Sequence, residues 1–158
     1  MSPKITSAPF VRIDERINFL VSRKDKSYLQ NLAKIQAPDS SQKIDLVIEN
    51  ESSKLEVDNK GIKHGDILFC SKEKELIIEP DKLWVILQED EIIVGRIKDL
   101  LNDSLDITFD NPIHPSIQIA RDAIMETYLV QGIFTTKTLQ PSSLENRLKA
   151  IEEKLNNL

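Results

Sequence analysis

The sequence predicts a mainly β domain of barrel-like or sandwich architecture, followed by a C-terminal α-helix. Short apolar runs with strand character recur along the chain, turn-forming residues separate them, and the last residues switch to a helical repeat. The chain has 158 residues, enough for one domain with a real core. We therefore expect a frayed N-terminus over residues 1–9, one β domain over residues 10–137 and a helical tail over residues 138–158.

The strand predictions rest on apolar runs and on alternation of apolar with polar residues. The strongest run covers residues 83–87, and a short acidic link joins it to residues 92–97, which predicts a β-hairpin. Residues 49–64 are polar and are interpreted as mainly loop. The further predicted strands cover residues 43–48, 67–70, 105–109, 117–119 and 128–134.

The segment from residue 10 to residue 32 has a mixed pattern. Its apolar residues at odd positions suggest extended structure: Val11, Ile13, Ile17, Phe19 and Val21. Tyr28, Leu29 and Leu32 fit one helical turn instead.

The tail carries an apolar seam with heptad spacing. Its members alternate spacings of four and three: Leu144, Leu148, Ile151, Leu155 and Leu158. Ser142 or Ser143 can cap the start of this helix. A lone helix of about two heptads is marginal in water, so the seam needs a partner. It either pairs with a second chain as a short coiled coil or docks on its own domain.

Charge and composition argue against several classes of protein. The net charge is −5, whereas a surface that binds phosphates is basic, so we expect no direct DNA binding.

Cys70 is the only cysteine and follows an apolar run, which predicts a buried thiol and fits a reducing cytoplasm. His64 and His114 are the only histidines and have no ligand spacing around them, so we expect no metal and no cofactor. No signal peptide or membrane-spanning run is visible.

Several weak motifs occur in a characteristic order. The stretch of residues 46–53 begins in the predicted strand of residues 43–48 and ends in polar residues; an insert of eleven residues follows, and Gly65-Asp66 then forms a turn. The hairpin of residues 83–97 and the strand and turn of residues 105–111 come next. This order resembles the LexA and phage-repressor serine–lysine peptidases, particularly members with a long insert. The resemblance spans about residues 10–135 and implies a LexA-like, signal-peptidase-like barrel.

The resemblance also sets a catalytic test. A serine hydroxyl attacks only after a base takes its proton, and in this family the base is a lysine. Ser52 matches the nucleophile if the insert is allowed, whereas a count without the insert places Val57 there. The lysine position holds Gly95, which has no side chain. Lys98 is an alternative base only through a bulge or a register slip, because strand side chains alternate faces.

The site of self-cleavage is also altered. Family members cut an Ala-Gly or Cys-Gly bond, and the matching positions here are Ile17 and Asn18. We therefore expect a catalytically inactive module that acts in dimerisation or regulation, for example within phage-type transcriptional control. The alternative is an active self-cleaving peptidase that uses Ser52 and a displaced lysine, Lys98.

The expected partners follow from the same resemblance. Family members form dimers, so we expect a second copy of this chain as the first partner and a repressor-like protein as another. About ten residues precede the resemblance, too few for the N-terminal DNA-binding helices of the family. We expect a cytoplasmic protein with no membrane partner.

Overall fold

The computed structural model describes residues 7–36 and 43–135, and this part of the chain is mainly β, as predicted. The predicted tail helix of residues 138–158 lies outside the described residues. The strands are β1 (Ser7–Val11), β2 (Lys34–Gln36), β3 (Leu46–Glu49), β4 (Glu56–Val57), β5 (Lys60–Gly61), β6 (Ile67–Lys72), β7 (Trp84–Leu87), β8 (Ile92–Leu100), β9 (Ser104–Thr108), β10 (Ile117–Ala120) and β11 (Glu126–Phe134). The helices are α1 (Arg16–Ser22) and α2 (Lys26–Asn31), with 3-10 turns at Ile13–Glu15 and Arg121–Ala123.

Nine strands form one sheet in the order β10-β9-β8-β7-β11-β6-β3-β1-β2, and β4 pairs with β5 separately. All neighbours in the large sheet are antiparallel except β1 and β3, which are parallel. The predicted hairpin of residues 83–97 is confirmed as β7 and β8, with Leu87 opposite Ile92. The other predicted strands are confirmed within a few residues of their expected bounds.

The expectation of extended structure over residues 13–21 is wrong. Only Val11 of the alternating set lies in a strand, and residues 16–22 form α1. The helix buries Phe19 and Leu20 and exposes Ile17 and Val21. Two adjacent buried residues together with two exposed residues four positions apart are a helical pattern. The apolar residues at odd positions give this helical segment the apparent alternation of a strand.

The helical alternative for the residues near Tyr28 is confirmed by α2. Asp25 caps this helix, because its side-chain Oδ1 accepts a hydrogen bond from the Ser27 N–H at 2.9 Å. The helix and its C-cap contribute three partly buried side chains that pack against the core: Tyr28, Leu29 and Leu32.

The insert between β3 and β6 is mainly loop, as predicted, but it contains the small hairpin β4–β5. Asp58 and Asn59 form its turn with φ angles of 51° and 64°. Two successive positive φ angles are typical of a type I′ turn, which commonly joins the strands of tight hairpins. Asp and Asn tolerate positive φ angles well.

The core lies on both faces of the large sheet. On one face, apolar residues of β1, β3, β6, β7 and β8 pack with Phe19 and Leu20 of α1. On the other face, a second cluster forms around β7 to β10 and includes Trp84, Ile107 and Phe109. No helix in the described part of the chain is both long and apolar enough to cross a membrane.

An ion pair attaches the helical segment to the sheet. The Arg23 Nη1 lies 2.7 Å from the Glu126 Oε1, with side chains only 7% and 21% exposed. The Tyr128 hydroxyl donates to the other Glu126 oxygen at 2.5 Å, and burial together with this hydrogen bond raises the pKa of Tyr128. The Glu126 carboxylate thus joins β11 to the end of α1.

Replacing Glu126 with alanine leaves the Arg23 guanidinium buried without its charge partner. We expect Glu126→Ala to lower the free energy of unfolding by about 3 kcal/mol, measured by urea denaturation at neutral pH. The control is Lys43→Ala, which removes an exposed pair with Asp45 at 3.6 Å and costs about 0.5 kcal/mol or less. Equal effects of the two substitutions would contradict the anchoring role of Glu126.

Candidate functional site

The described structure has a cleft of about 350 Å³ beside Ser52, here called the Ser52 cleft. Four segments enclose it: the start of α1, the turn after β3, the start of β8 and the turn after β9. Its apolar wall includes Ile92, Val94 and Phe109. Its polar and charged lining consists of Arg16, Glu51, Ser52, Ser53, Lys54, Glu91 and His114. The cleft therefore combines an apolar wall with charges of both signs.

Asn50 organises the turn that carries Ser52. It is fully buried, and its Nδ2 donates to the carbonyl oxygens of Ser52 at 2.8 Å and Lys63 at 3.0 Å. Its backbone N–H donates to the Asp66 carbonyl at 2.8 Å. One amide side chain therefore holds the Ser52 turn against the residues just before β6, which fixes the position of Ser52 relative to the sheet.

The Ser52 hydroxyl has a structural hydrogen bond. Its Oγ accepts from the backbone N–H of Lys54 at 3.0 Å, a local turn contact typical of serine. Within the described residues, no hydrogen bond joins the Ser52 hydroxyl to a lysine amine. The Lys54 ammonium lies 4.8 Å from the centre of the Phe109 ring, in a cation–π contact. The lysine nearest in sequence is thus directed to an aromatic ring.

The space beside Gly95 is already filled. Gly95 is buried in β8 directly opposite Trp84 of β7. A Cβ added at this position would lie 2.6 Å from the Ile107 Cγ2 and 3.2 Å from the Phe109 Cε1. These distances are shorter than normal van der Waals contact. Position 95 can therefore accept a side chain only if Ile107 and Phe109 shift.

Lys98 lies at an irregular point of β8. The pairing of β8 with β9 shifts between Ile97 and Asp99, so Lys98 occupies a bulge. Its residue is exposed, and it does not line the Ser52 cleft. The bulge that the alternative mechanism requires is present, but the Lys98 side chain does not lie beside Ser52.

The segment that matches the self-cleavage site is helical. Ile17 and Asn18 lie in α1, and Ile17 is 74% exposed. The preceding residue, Arg16, reaches the Ser52 cleft and its Nη1 contacts the Glu51 Oε2 at 3.0 Å. Burial lowers the pKa of the Arg16 guanidinium, and the nearby carboxylate of Glu51 opposes this shift. The segment is therefore close to the cleft but folded away from an extended form.

The remaining candidate groups in the described residues are the Cys70 thiol, potential metal ligands and the alternative nucleophile position, Val57. Cys70 is fully buried, as expected, and burial raises the pKa of its thiol, which disfavours the reactive thiolate. Over residues 7–36 and 43–135, no group of three or more potential metal ligands comes together. Val57, the other position for the nucleophile, lies in β4 and is exposed.

Sequence reasoning missed most of the cleft. Arg16, Lys54 and Phe109 were not singled out, because they converge from segments far apart in the chain. The Asn111 side chain donates to the Glu56 carbonyl at 3.0 Å and so ties the turn after β9 to the insert. An asparagine in the turn that follows a strand is a usable signal for such contacts: Asn50 comes directly after β3, and Asn111 comes three residues after β9.

Comparison of the sequence with models of known protein families finds no match, and comparison with curated proteins also finds none.

The filled space at Gly95 gives a direct prediction. Because an added methyl group must displace Ile107 and Phe109, we expect Gly95→Ala to lower the free energy of unfolding by about 1–3 kcal/mol, measured by urea denaturation. Gly132→Ala is the matched control, since its Cβ would meet only the Phe69 Cδ2, at 3.9 Å, and should cost little. If both variants were as stable as the natural protein, the space beside Gly95 would be open.

Proposed function

We propose that this chain is a non-catalytic module of LexA-like type that acts in the cytoplasm by associating with a second copy and with a repressor-like protein. The filled space at Gly95 carries the proposal, because a lysine there would have to displace Ile107 and Phe109. The turn hydrogen bond of the Ser52 Oγ supports it further, since this serine has a structural role that needs no base.

One observation favours the second candidate, a self-cleaving peptidase. Ser52 lines an accessible cleft together with Lys54, and Lys98 lies at a bulge of the neighbouring strand. Lys54 would have to leave the Phe109 ring and lose its proton before it could act as a base. A free lysine amine is protonated at neutral pH, so this activity would increase at alkaline pH.

The test is self-cleavage at alkaline pH. We expect the intact mass of the protein to stay unchanged during long incubation at neutral pH and at about pH 10, near the ordinary pKa of lysine. Ser52→Ala, incubated in parallel, controls for cleavage by contaminating proteases. Fragments that form at high pH from the natural protein but not from Ser52→Ala would establish the peptidase instead.

An open strand edge supports association. β11 pairs with β7 from Glu126 to Leu129, and the Val130 N–H still reaches the Leu83 carbonyl. Beyond that point, none of the residues that the structure describes pairs with β11 on the β7 side. Ile133 and Phe134 lie there and are 47% and 46% exposed. An unpaired edge with apolar side chains is a template for another strand, and self-pairing across a two-fold axis gives a closed dimer.

We expect the protein to dimerise at concentrations on the order of tens of micromolar, as measured by sedimentation velocity. Ile133→Lys places a charge on the proposed edge and should weaken the dimer at least about tenfold. Ile113→Lys is the control, because Ile113 is 82% exposed and lies in the turn after β9 rather than in β11. A strictly monomeric natural protein, or equal dimerisation of all three proteins, would rule out this interface.

A further inference from the structure

A groove of about 250 Å³, here called the Trp84 groove, lies beside the start of β7. On the sheet it is lined by Trp84 of β7 and Leu129 of β11, which are directly opposite each other. The segment that joins β6 to β7 supplies the other lining residues: Glu73, Glu75, Ile77, Glu79 and Lys82. Sites for whole small molecules usually measure about 300–1,000 Å³, so this groove suits a single long side chain.

The segment that forms the groove is held in place along its length. The Glu73 N–H donates to the Thr127 carbonyl at 3.1 Å, and the Thr127 hydroxyl donates back to the Glu73 carbonyl at 2.5 Å. Farther along, Leu76 packs against the second core cluster, and the Arg96 Nη1 donates to the Pro80 carbonyl at 3.0 Å. The groove is therefore formed before a ligand enters it, which keeps the cost of ordering on binding low.

The charge of the groove favours a cation. The carboxylates of Glu73, Glu75 and Glu79 line it together with one ammonium, that of Lys82, which leaves an excess of two negative charges. Over residues 7–36 and 43–135, none of these three carboxylates has a hydrogen bond or an ion pair. Lysine and arginine side chains combine an apolar stem with a positive end, which matches free carboxylates beside Ile77.

The indole of Trp84 is an independent sign that a ligand belongs here. Trp84 is only 2% exposed, and no residue in the described part of the chain accepts a hydrogen bond from its Nε1. Buried donors normally have a partner, because leaving one unpaired is unfavourable. A ligand with a carbonyl group, such as a polypeptide, can supply that acceptor. The indole ring also attracts a cation to its face.

We propose that the Trp84 groove binds a lysine or arginine side chain on an extended segment of a partner protein. The stem of this side chain packs against Ile77, which is 53% exposed, and its charged end lies between Glu75 and Glu79. A backbone carbonyl of the same segment accepts from the Trp84 Nε1. The Trp84 groove shares no residue with the Ser52 cleft or with the unpaired edge of β11, so the proposed function can fail without it and it can fail alone.

Tryptophan fluorescence of the full chain tests the proposal, because Trp84 is the only tryptophan. The probe is the capped pentapeptide Ala-Arg-Ala-Arg-Ala, whose two arginines lie on one face when it is extended. The matched control peptide carries glutamine in place of both arginines. At neutral pH and low salt, we expect the arginine peptide to change the fluorescence saturably, with half-saturation below about 1 mM. The glutamine peptide should leave the fluorescence unchanged.

Two double variants locate the binding. Glu75→Gln with Glu79→Gln removes no contact within the described chain, so the fold is kept, and we expect it to weaken binding of the arginine peptide at least about tenfold. The control, Glu89→Gln with Asp90→Asn, removes the same charge in the β7–β8 turn and should change binding less than about twofold.

Four results would overturn the proposal. The first is no saturable change with the arginine peptide up to about 10 mM, well above the expected half-saturation. The second is equal binding of the arginine and glutamine peptides. The third is an unchanged affinity when Glu75 and Glu79 are both replaced. The fourth is equal weakening by the two double variants, which would indicate attraction to the overall negative charge of the protein.

Discussion

The register between β7 and β8 constrains the candidate site more than any other feature. It places Trp84 opposite Gly95, and directly opposed residues on antiparallel strands share one face of the sheet. Ile107 and Phe109 then pack over the glycine within 2.6 Å and 3.2 Å of where a Cβ would lie. Phe109 is also a wall of the Ser52 cleft and the ring that contacts Lys54. The Phe109 ring thus packs beside Gly95 and also contacts the Lys54 ammonium.

The helical segment between β1 and β2 links the core to the cleft. Phe19 and Leu20 bury its inner face, while Arg23 attaches it to Glu126 of β11 and Arg16 attaches it to Glu51 in the turn after β3. The largely buried pair of Arg23 and Glu126 contributes to a unique arrangement only when both partners are present. Because Arg16 also lines the Ser52 cleft, movement of this segment would reshape the cleft directly.

Most strands of the large sheet could be predicted from the sequence, because runs such as residues 83–87 are buried and apolar throughout their length. The strands β1 and β2 were not predicted, and residues 7–9 of β1 lie in the segment expected to be frayed. The helix α1 could not, since Val11, Ile13, Ile17, Phe19 and Val21 alternate as a strand would. Tertiary packing of two adjacent residues, Phe19 and Leu20, favours the helix. Of the residues that line the cleft, only Ser52 was predicted as a catalytic residue, because Arg16 and Phe109 reach it through long-range packing that local patterns do not encode.

The central claim is that no base serves the Ser52 hydroxyl, and a high-resolution crystal structure of the full chain tests it most directly. The account predicts the Phe109 ring packed against Gly95, the Ser52 Oγ accepting the Lys54 backbone N–H, and no lysine Nζ within hydrogen-bond reach of that oxygen, about 3.2 Å. A lysine amine found within about 3 Å of the Ser52 Oγ would contradict the account and identify a catalytic pair.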